Sequence, residues 1–379
     1  IENPNILTRA GTIGDAKEII RSQNVSGLLI EDAPGSNVLV GVLSHRDILL
    51  AGDQNKKPVE EFMTPFKKLI TASPRININQ AEKIMLEHRI EKLPLIDKNR
   101  KIKGLITIRD LRLFKQKPYS TQDKKGRLMV GATVGVTGDY LDRATVLLNA
   151  GADCILMDIA HGDSDVMAKA VREFRNKFKN IELVCGNVAT GSGAKFLMNL
   201  GVDAIKVGVG PGRGCRTRLE VGAGVPQLQA IREAYLATQG KLPIIADGGI
   251  KNDKDIALAI LSGASTVMLG SILSGTDESP GVIIDDPVAK RRMKIYRGMT
   301  SAEAVLDGGK IMGDSTEFLQ NSQAQEGQSI SVPYTGSVVE VIKRVKDHLR
   351  SAISYAGESS LASAHLKIAA NPEKYLVRL

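Results

Sequence analysis

Six short apolar segments recur along the second part of the chain, each followed by a helical stretch: Leu128–Val136, Cys154–Asp158, Leu183–Cys185, Ala204–Gly208, Pro243–Ala246 and Thr266–Leu269. Their starting points lie about 21 to 29 residues apart, with one gap near 39. That rhythm is the mark of parallel βα units, because parallel neighbours need a crossover long enough to hold a helix. Nearly every segment runs into Gly, Asp or Asn: Met157-Asp158, Gly186-Asn187, Gly208-Val209-Gly210, Asp247-Gly248-Gly249 and Gly270-Ser271. Polar and Gly residues at C-terminal strand ends are where barrel sites are built. The pattern predicts an α/β chain with a (β/α)8 TIM barrel; an open doubly wound sheet is the alternative. Eight strands close such a barrel and six are found. The chain as given starts at Ile1, not Met, so the first two strands are expected upstream of it.

The preceding stretch has a different organisation. Leu39-Val-Gly-Val-Leu-Ser-His-Arg-Asp-Ile48 returns as Ile102-Lys-Gly-Leu-Ile-Thr-Ile-Arg-Asp-Leu111. Helices are predicted at 15–20 and 80–86, and strands at 27–30 and 92–96. A period near 60 in a β-α-β-β-α order reads as two small modules that bury their sheets against one another. The pattern resembles a tandem pair of CBS domains over residues 1–117, inserted in the barrel and leaving 118–379 for the catalytic part. In that family the Ser/Thr and Asp of each copy contact the phosphate and ribose of adenine or guanine nucleotides. Here those positions are Ser44, Asp47, Thr107 and Asp110. The alternative is that both Asp residues cap the helices that follow.

Composition closes off other classes. No apolar run approaches the roughly 18–20 residues that span a bilayer. Trp is absent and there is no basic helix, so nucleic-acid binding has no motif behind it. The net charge of +9 fits an anionic ligand, and equally a generally basic surface. Cys154, Cys185 and Cys215 make neither a disulfide framework nor a metal motif, which points to a reducing, cytoplasmic setting.

The chemistry gathers in the wide gap. Cys215 sits in Lys206-Val-Gly-Val-Gly-Pro-Gly-Arg-Gly-Cys-Arg-Thr-Arg218, flanked by Arg213, Arg216 and Arg218. Nearby positive charge raises the thiolate fraction of a thiol, so Cys215 reads as a nucleophile. Cys154 and Cys185, inside apolar strands, read as small core residues. Asp247-Gly248-Gly249 after the penultimate strand and Gly270-Ser271 after the last match the place where barrels hold phosphate. Asp158 and Asp247 at strand tips are set to accept from ribose hydroxyls, or else to cap the next helix.

These segments are similar to the IMP dehydrogenase/GMP reductase family. The likeness rests on Gly-Val-Gly-Pro-Gly-x-x-Cys-x-Thr-Arg, Ile-Ala-Asp-Gly-Gly-Ile, Met-Leu-Gly-Ser, Tyr-Arg-Gly-Met, Glu-Gly…Val-Pro-Tyr and Val130-Gly-Ala-Thr-Val-Gly135. It implies that Cys215 attacks purine C2 and that a hydride passes between C2 and a nicotinamide. Thr217 and Glu326 match the proton-relay pair. Asp247 would hold the ribose, and Gly249, Gly270, Ser271 and Tyr296 the phosphate, with Gly248, Gly298 and Met299 lining the same nucleotide. Asp158, Gly208 and Gly210 would face the dinucleotide, NAD, or NADP in a reductase. Backbone carbonyls of Gly210, Gly212 and Cys215 match a monovalent-cation loop, K+ in the family. The resemblance also implies a homo-tetramer, with octamers through the CBS pairs.

Two departures bear on the reaction. Arg213 stands where the family has a phosphate-contacting Ser, and Arg216 where Thr is usual. A dehydrogenase must also hydrolyse a thioimidate, and in most family members an Arg-Tyr pair on a mobile flap activates the water. The flap, expected at about 300–326, contains no Arg and no Tyr, and Lys310 is its only basic residue. A reductase expels ammonia and needs no such Arg. The number of matching segments favours IMP dehydrogenase, which converts IMP to XMP with NAD. The flap favours GMP reductase, which converts GMP to IMP with NADPH. A nucleotide-sensing CBS protein with a silent barrel is a third reading, and intact Cys215, Thr217 and Glu326 speak against it. Val338–Leu349 has helical apolar spacing and is expected to close the barrel.

Overall fold

The computed structural model describes residues 3–116, 120–123, 126–288, 290–312 and 326–375. The chain divides into two compact units, Ile1–Leu128 and Met129–Leu379.

In the first unit the repeat is realised twice. Strand β1 (Ile6–Thr8), helix α1 (Ile13–Ser22), strands β2 (Gly27–Glu31) and β3 (Leu39–Ser44) and helix α2 (His45–Ala51) form one copy. After β4 (Thr64–Pro65), α3 (Ile78–Glu87), β5 (Lys92–Ile96), β6 (Ile102–Thr107) and α4 (Ile108–Gln116) form the other. The helices start where capping boxes stop the chain: Thr12 and Asn77 accept from the third helical N–H of α1 and α3, and that residue's side chain returns the bond. Ile13, Leu28, Ile30, Leu43 and Ile48 make one apolar cluster, and Ala81, Met85, Leu93 and Leu111 another.

The second unit is built on a parallel sheet. Strands β7 (Gly131–Val134), β8 (Cys154–Asp158), β9 (Glu182–Val188), β10 (Ala204–Val207), β11 (Ile244–Asp247) and β12 (Thr266–Met268) lie side by side in chain order. A doubly wound sheet reverses its strand order part-way, and this one does not, so that alternative falls. Consecutive order with right-handed crossovers keeps the helices on one face, the arrangement of a (β/α)8 barrel wall. The helices are α5 (Tyr140–Asn149), α6 (Asp165–Lys177), α7 (Gly191–Asn199), the short α8 (Thr217–Glu220), α9 (Gln227–Thr238) and α10 (Asp253–Leu261). Ile155, Met157, Leu183, Cys185, Ile205, Val207, Ile244 and Ala246 pack under them with Phe174, Leu197 and Ile231. Burial pushes the thiol of Cys185, a core residue, up to about 12 and raises that of Cys154, which is only partly buried and lies outside the core cluster.

Beyond the sheet come α11 (Ser271–Ser274), an antiparallel ribbon of β13 (Ile284–Asp286), β14 (Arg291–Arg297) and β15 (Ser329–Pro333), and α12 (Ala302–Met312). The ribbon has no counterpart in the sequence reading. Helices α13 (Val338–Tyr355) and α14 (Leu361–Ala370) end the described chain. The helix expected at 338–349 exists and runs longer, resting on α10, where Arg344 and His348 bond to Asp253. Of the expected flap, residues 300–312 carry α12, and 313–325 lie outside the described residues.

Candidate functional site

The C-terminal tips of the parallel strands carry the polar residues. The Cys215 sulfur lies 3.1 Å from the Thr217 hydroxyl, which donates to the Glu326 carboxylate at 2.6 Å. Glu326 is 109 residues away in sequence. Backbone pairing brings it in: the Arg216 N–H donates to the Glu326 carbonyl at 2.6 Å, and the Gln328 N–H to the Gly214 carbonyl at 2.9 Å. The Gln328 side chain adds a bond to the Arg213 carbonyl at 3.2 Å. The Cys loop and the segment entering β15 thus form one short two-stranded contact, and this holds the Cys215 thiol, the Thr217 hydroxyl and the Glu326 carboxylate next to one another.

The flanking arginines do other work than the sequence suggests. Arg216 pairs with Glu220 at 2.5 Å, and Arg218 donates to the Val225 carbonyl while its stem lies over Gly210 and Gly224. The Arg213 side chain is exposed on the loop rim. Among the described contacts, the sulfur's partner is the Thr217 hydroxyl and not a guanidinium. The carbonyl of Gly212 accepts the Cys215 N–H at 3.0 Å.

The two Gly-rich tips are neighbours, since Asp247 on β11 stands in register with Met268 on β12. Gly248 adopts φ +83°, and a Cβ there would meet the Gly212 backbone N and the Pro211 ring at 3.1 Å, so only Gly lets the two loops close together. Gly249 lies against Pro211 and Gln227. Gly270 precedes Ser271, which opens α11, and faces the Tyr296 hydroxyl. The Tyr296 ring also borders Gly214, while Gly298 abuts the Gly214 carbonyl. Tyr296 therefore ties the last strand's loop to the Cys loop. Its phenol is raised above the ordinary value, by burial first and then by the Asp247 and Cys215 charges. Met299 is almost fully exposed at the rim.

Neither strand-tip carboxylate caps a helix; Ser164 and Asn252 cap α6 and α10 instead. Asp158 and Asp247 are joined through Lys206, a residue the sequence reading passed over. Its ammonium is 2% exposed, 2.5 Å from Asp247 and 3.2 Å from Asp158. Asn187 donates to Asp247 at 3.0 Å and to the Gly208 carbonyl at 2.7 Å, and its own side-chain oxygen is buried without a partner. Gln227 donates to the Val207 and Asp247 carbonyls and likewise keeps a buried, unpartnered oxygen. A charged residue inside the apolar run Ala204–Val207 was the available signal for Lys206.

In the first unit, Ser44 is the N-cap of α2 and Asp47 its third helical residue, their hydroxyl and carboxylate 2.6 Å apart. Thr107 and Asp110 repeat this at 2.8 Å. The Asp residues are thus partners in capping boxes and not the caps themselves. Ser44 and Asp47 also line a cavity of about 330 Å³ with Arg46, Lys68, Arg89 and Lys92. Burial lowers the Lys92 ammonium below its usual value. Among the described residues no helix is long and apolar enough to cross a membrane, and no cluster of His, Cys, Asp or Glu is arranged to hold a metal ion.

The IMP dehydrogenase / GMP reductase domain matches residues 78–371, and a CBS domain matches residues 2–53. An inosine-5'-monophosphate dehydrogenase of Nitrosopumilus maritimus is 42% identical over 365 residues, covering 95% of this chain and 75% of that protein. One from Streptococcus pyogenes is 39% identical over 369 residues, covering 96% and 74%. Among solved structures, a GMP reductase of Trypanosoma brucei in complex with guanosine 5'-monophosphate superimposes with a TM-score of 0.86 at 33% identity, over 97% of this chain and 76% of that one. By its domain match, its parallel strand order and its likeness to these enzymes along nearly its whole length, the chain belongs to the IMP dehydrogenase/GMP reductase family of oxidoreductases.

Proposed function

We propose that the protein is an IMP dehydrogenase that oxidises IMP to XMP with NAD through a covalent intermediate on Cys215. The observation that carries this is the line from the Cys215 sulfur through the Thr217 hydroxyl to the Glu326 carboxylate. In this reading the sulfur adds to purine C2, and the hydride leaves C2 for the nicotinamide, which supplies the two-electron acceptor. A water then attacks C2, the C–S bond breaks, and the thiolate is regenerated. The water must lose a proton as it attacks. Thr217 and Glu326 supply that route, the hydroxyl taking the proton while giving its own to the carboxylate. This matters because the flap window contains no Arg.

Asp247 would accept from the ribose hydroxyls, and Gly249, Gly270, Ser271 and Tyr296 would surround the phosphate. Arg213, exposed beside Gly214, which borders the Tyr296 ring, would add a charge-assisted bond. Asp158 would face the dinucleotide. The buried, unpartnered oxygens of Asn187 and Gln227 fit a ligand that brings N–H donors to the strand tips. The carbonyls of Gly210, Gly212 and Cys215 would hold K+. The basic cavity beside Ser44 and Asp47 would take an adenine or guanine nucleotide. The working state would be a cytoplasmic tetramer.

GMP reductase is the second reading. It is favoured by the flap without Arg or Tyr and by the likeness to the trypanosomal reductase. The sequence identities, 42% and 39% to dehydrogenases against 33% to the reductase, favour the first. Absorbance at 340 nm decides. Reduced cofactor appearing with IMP and NAD⁺ is the expected result; NADPH consumed with GMP, and silence with IMP, would make it a reductase.

A further inference from the structure

The six strand tips hold one buried cation between two carboxylates, and we propose that Lys206 is a positioning residue that couples the nucleotide site to the dinucleotide site. This rests on the assignment of Asp247 and Asp158 to those two ligands. Asp158, Gly186 and Lys206 stand in one row across β8, β9 and β10. A Cβ on Gly186 would lie 2.7 Å from the Lys206 Cβ, so the missing side chain leaves open the path from the Lys206 stem to Asp158. The ammonium then reaches Asp158 Oδ1 at 3.2 Å on one side and Asp247 Oδ2 at 2.5 Å on the other. Asp247 Oδ2 also takes the Asn187 bond.

One oxygen of each carboxylate is therefore anchored from within. Asp247 Oδ1 and Asp158 Oδ2 are left for ligand hydroxyls, and each carboxylate stays partly exposed, at 25% and 39%. Burying an ammonium is costly unless it is paired. Hydroxyls donating to Asp247 satisfy part of that carboxylate's charge and weaken its hold on Lys206. The ammonium then moves towards Asp158 and fixes it. Nucleotide binding should accordingly tighten dinucleotide binding, and by linkage the reverse holds by the same factor.

The test is calorimetric titration of IMP, with and without saturating NAD⁺, in a Cys215→Ala background that does not turn over. Should the chain be a reductase, GMP and NADPH take their places. In the parent, the second ligand is expected to tighten the first about tenfold. In Lys206→Met both affinities should fall about fivefold or more, with the tightening reduced to less than about twofold. Lys206→Arg, which keeps the charge, should restore most of it. If the Met variant does not melt cooperatively, Lys206→Gln is read in its place. With Cys215 intact, the loss should appear as raised KM for both ligands and a nearly unchanged kcat, whereas partial misfolding lowers kcat alone. Persistence of the tightening without the ammonium overturns the coupling. Asp247→Asn with unchanged nucleotide affinity, or Asp158→Asn with unchanged dinucleotide affinity, would instead overturn the assignment beneath it.

Discussion

At the scale of single residues, the site is a short chain of proton-bearing atoms. Thr217 has two hydrogen-bond roles at once, donating to Glu326 and facing the Cys215 sulfur. Thr217→Val and Glu326→Gln should each lower kcat about 100-fold or more, with little change in nucleotide affinity. The double variant should lose little beyond either single one, because the residues act as a unit. Steady-state kinetics beside direct binding of IMP reads both quantities; additive losses would mean that the two residues do not share one proton path. Cys215 stood out from its own Gly- and Arg-rich loop, and Thr217 and Glu326 were singled out only through the family resemblance. Their alignment was not, because it depends on backbone bonds between Arg216 and Glu326 and between Gln328 and Gly214. Lys206 was missed because a lone Lys in an apolar strand has no meaning until its neighbours on the sheet are known.

Among elements, the decisive contacts are helix ends and helix pairs. Capped helices of the sheet begin where the sequence changes from strand-end polar residues to the helix, as at Thr190 before α7 and Asn252 before α10. Helix α13 is held to α10 by Asp253, which is almost fully buried and bonded to Arg344 at 2.8 Å and His348 at 2.7 Å. The Arg344 hydrogen bond chiefly, then that of His348, holds the Asp253 carboxyl below its usual value. A lowered folded value stabilises above the unfolded one and is lost as pH falls through the folded one. Asp253→Asn should therefore cost about 2 kcal/mol at neutral pH. The gap between variant and parent should close as the pH falls through the lowered value of the folded Asp253 carboxyl. Urea unfolding at a series of pH values measures this, and a pH-independent difference would refute it.

For the whole molecule, each unit carries its own core. The apolar clusters around Leu28, Leu29 and Leu93 belong to the first unit, and those around Ile205 and Ile368 to the second. Differential scanning calorimetry should resolve two transitions. IMP at a hundred times its Kd should stabilise only the transition of the second unit, by about 2.7 kcal/mol. For a unit of that size this is a rise of roughly 5–11 °C. A shift confined to the first unit would place the monophosphate at the CBS pair.

The sequence by itself determined the order of the repeat modules and of the βα units. Strand and helix periods, the repeat and the strand-end Gly and Asp residues are local signals, and local sterics and hydrogen bonding enforce them wherever the chain lies. The tertiary structure decided the rest. Consecutive strand order settled barrel against doubly wound sheet, because order is a matter of which strands pair and no single strand encodes it. The antiparallel ribbon β13–β15 went unread because β13 and much of β14 are exposed and charged, and β14 and β15 are separated by 31 residues of intervening chain between Arg297 and Ser329. The same holds for the Asp158–Lys206–Asp247 cluster. Its three charges come from three strands, and only pairing in register, with Gly186 leaving room between them, brings them within reach of one another.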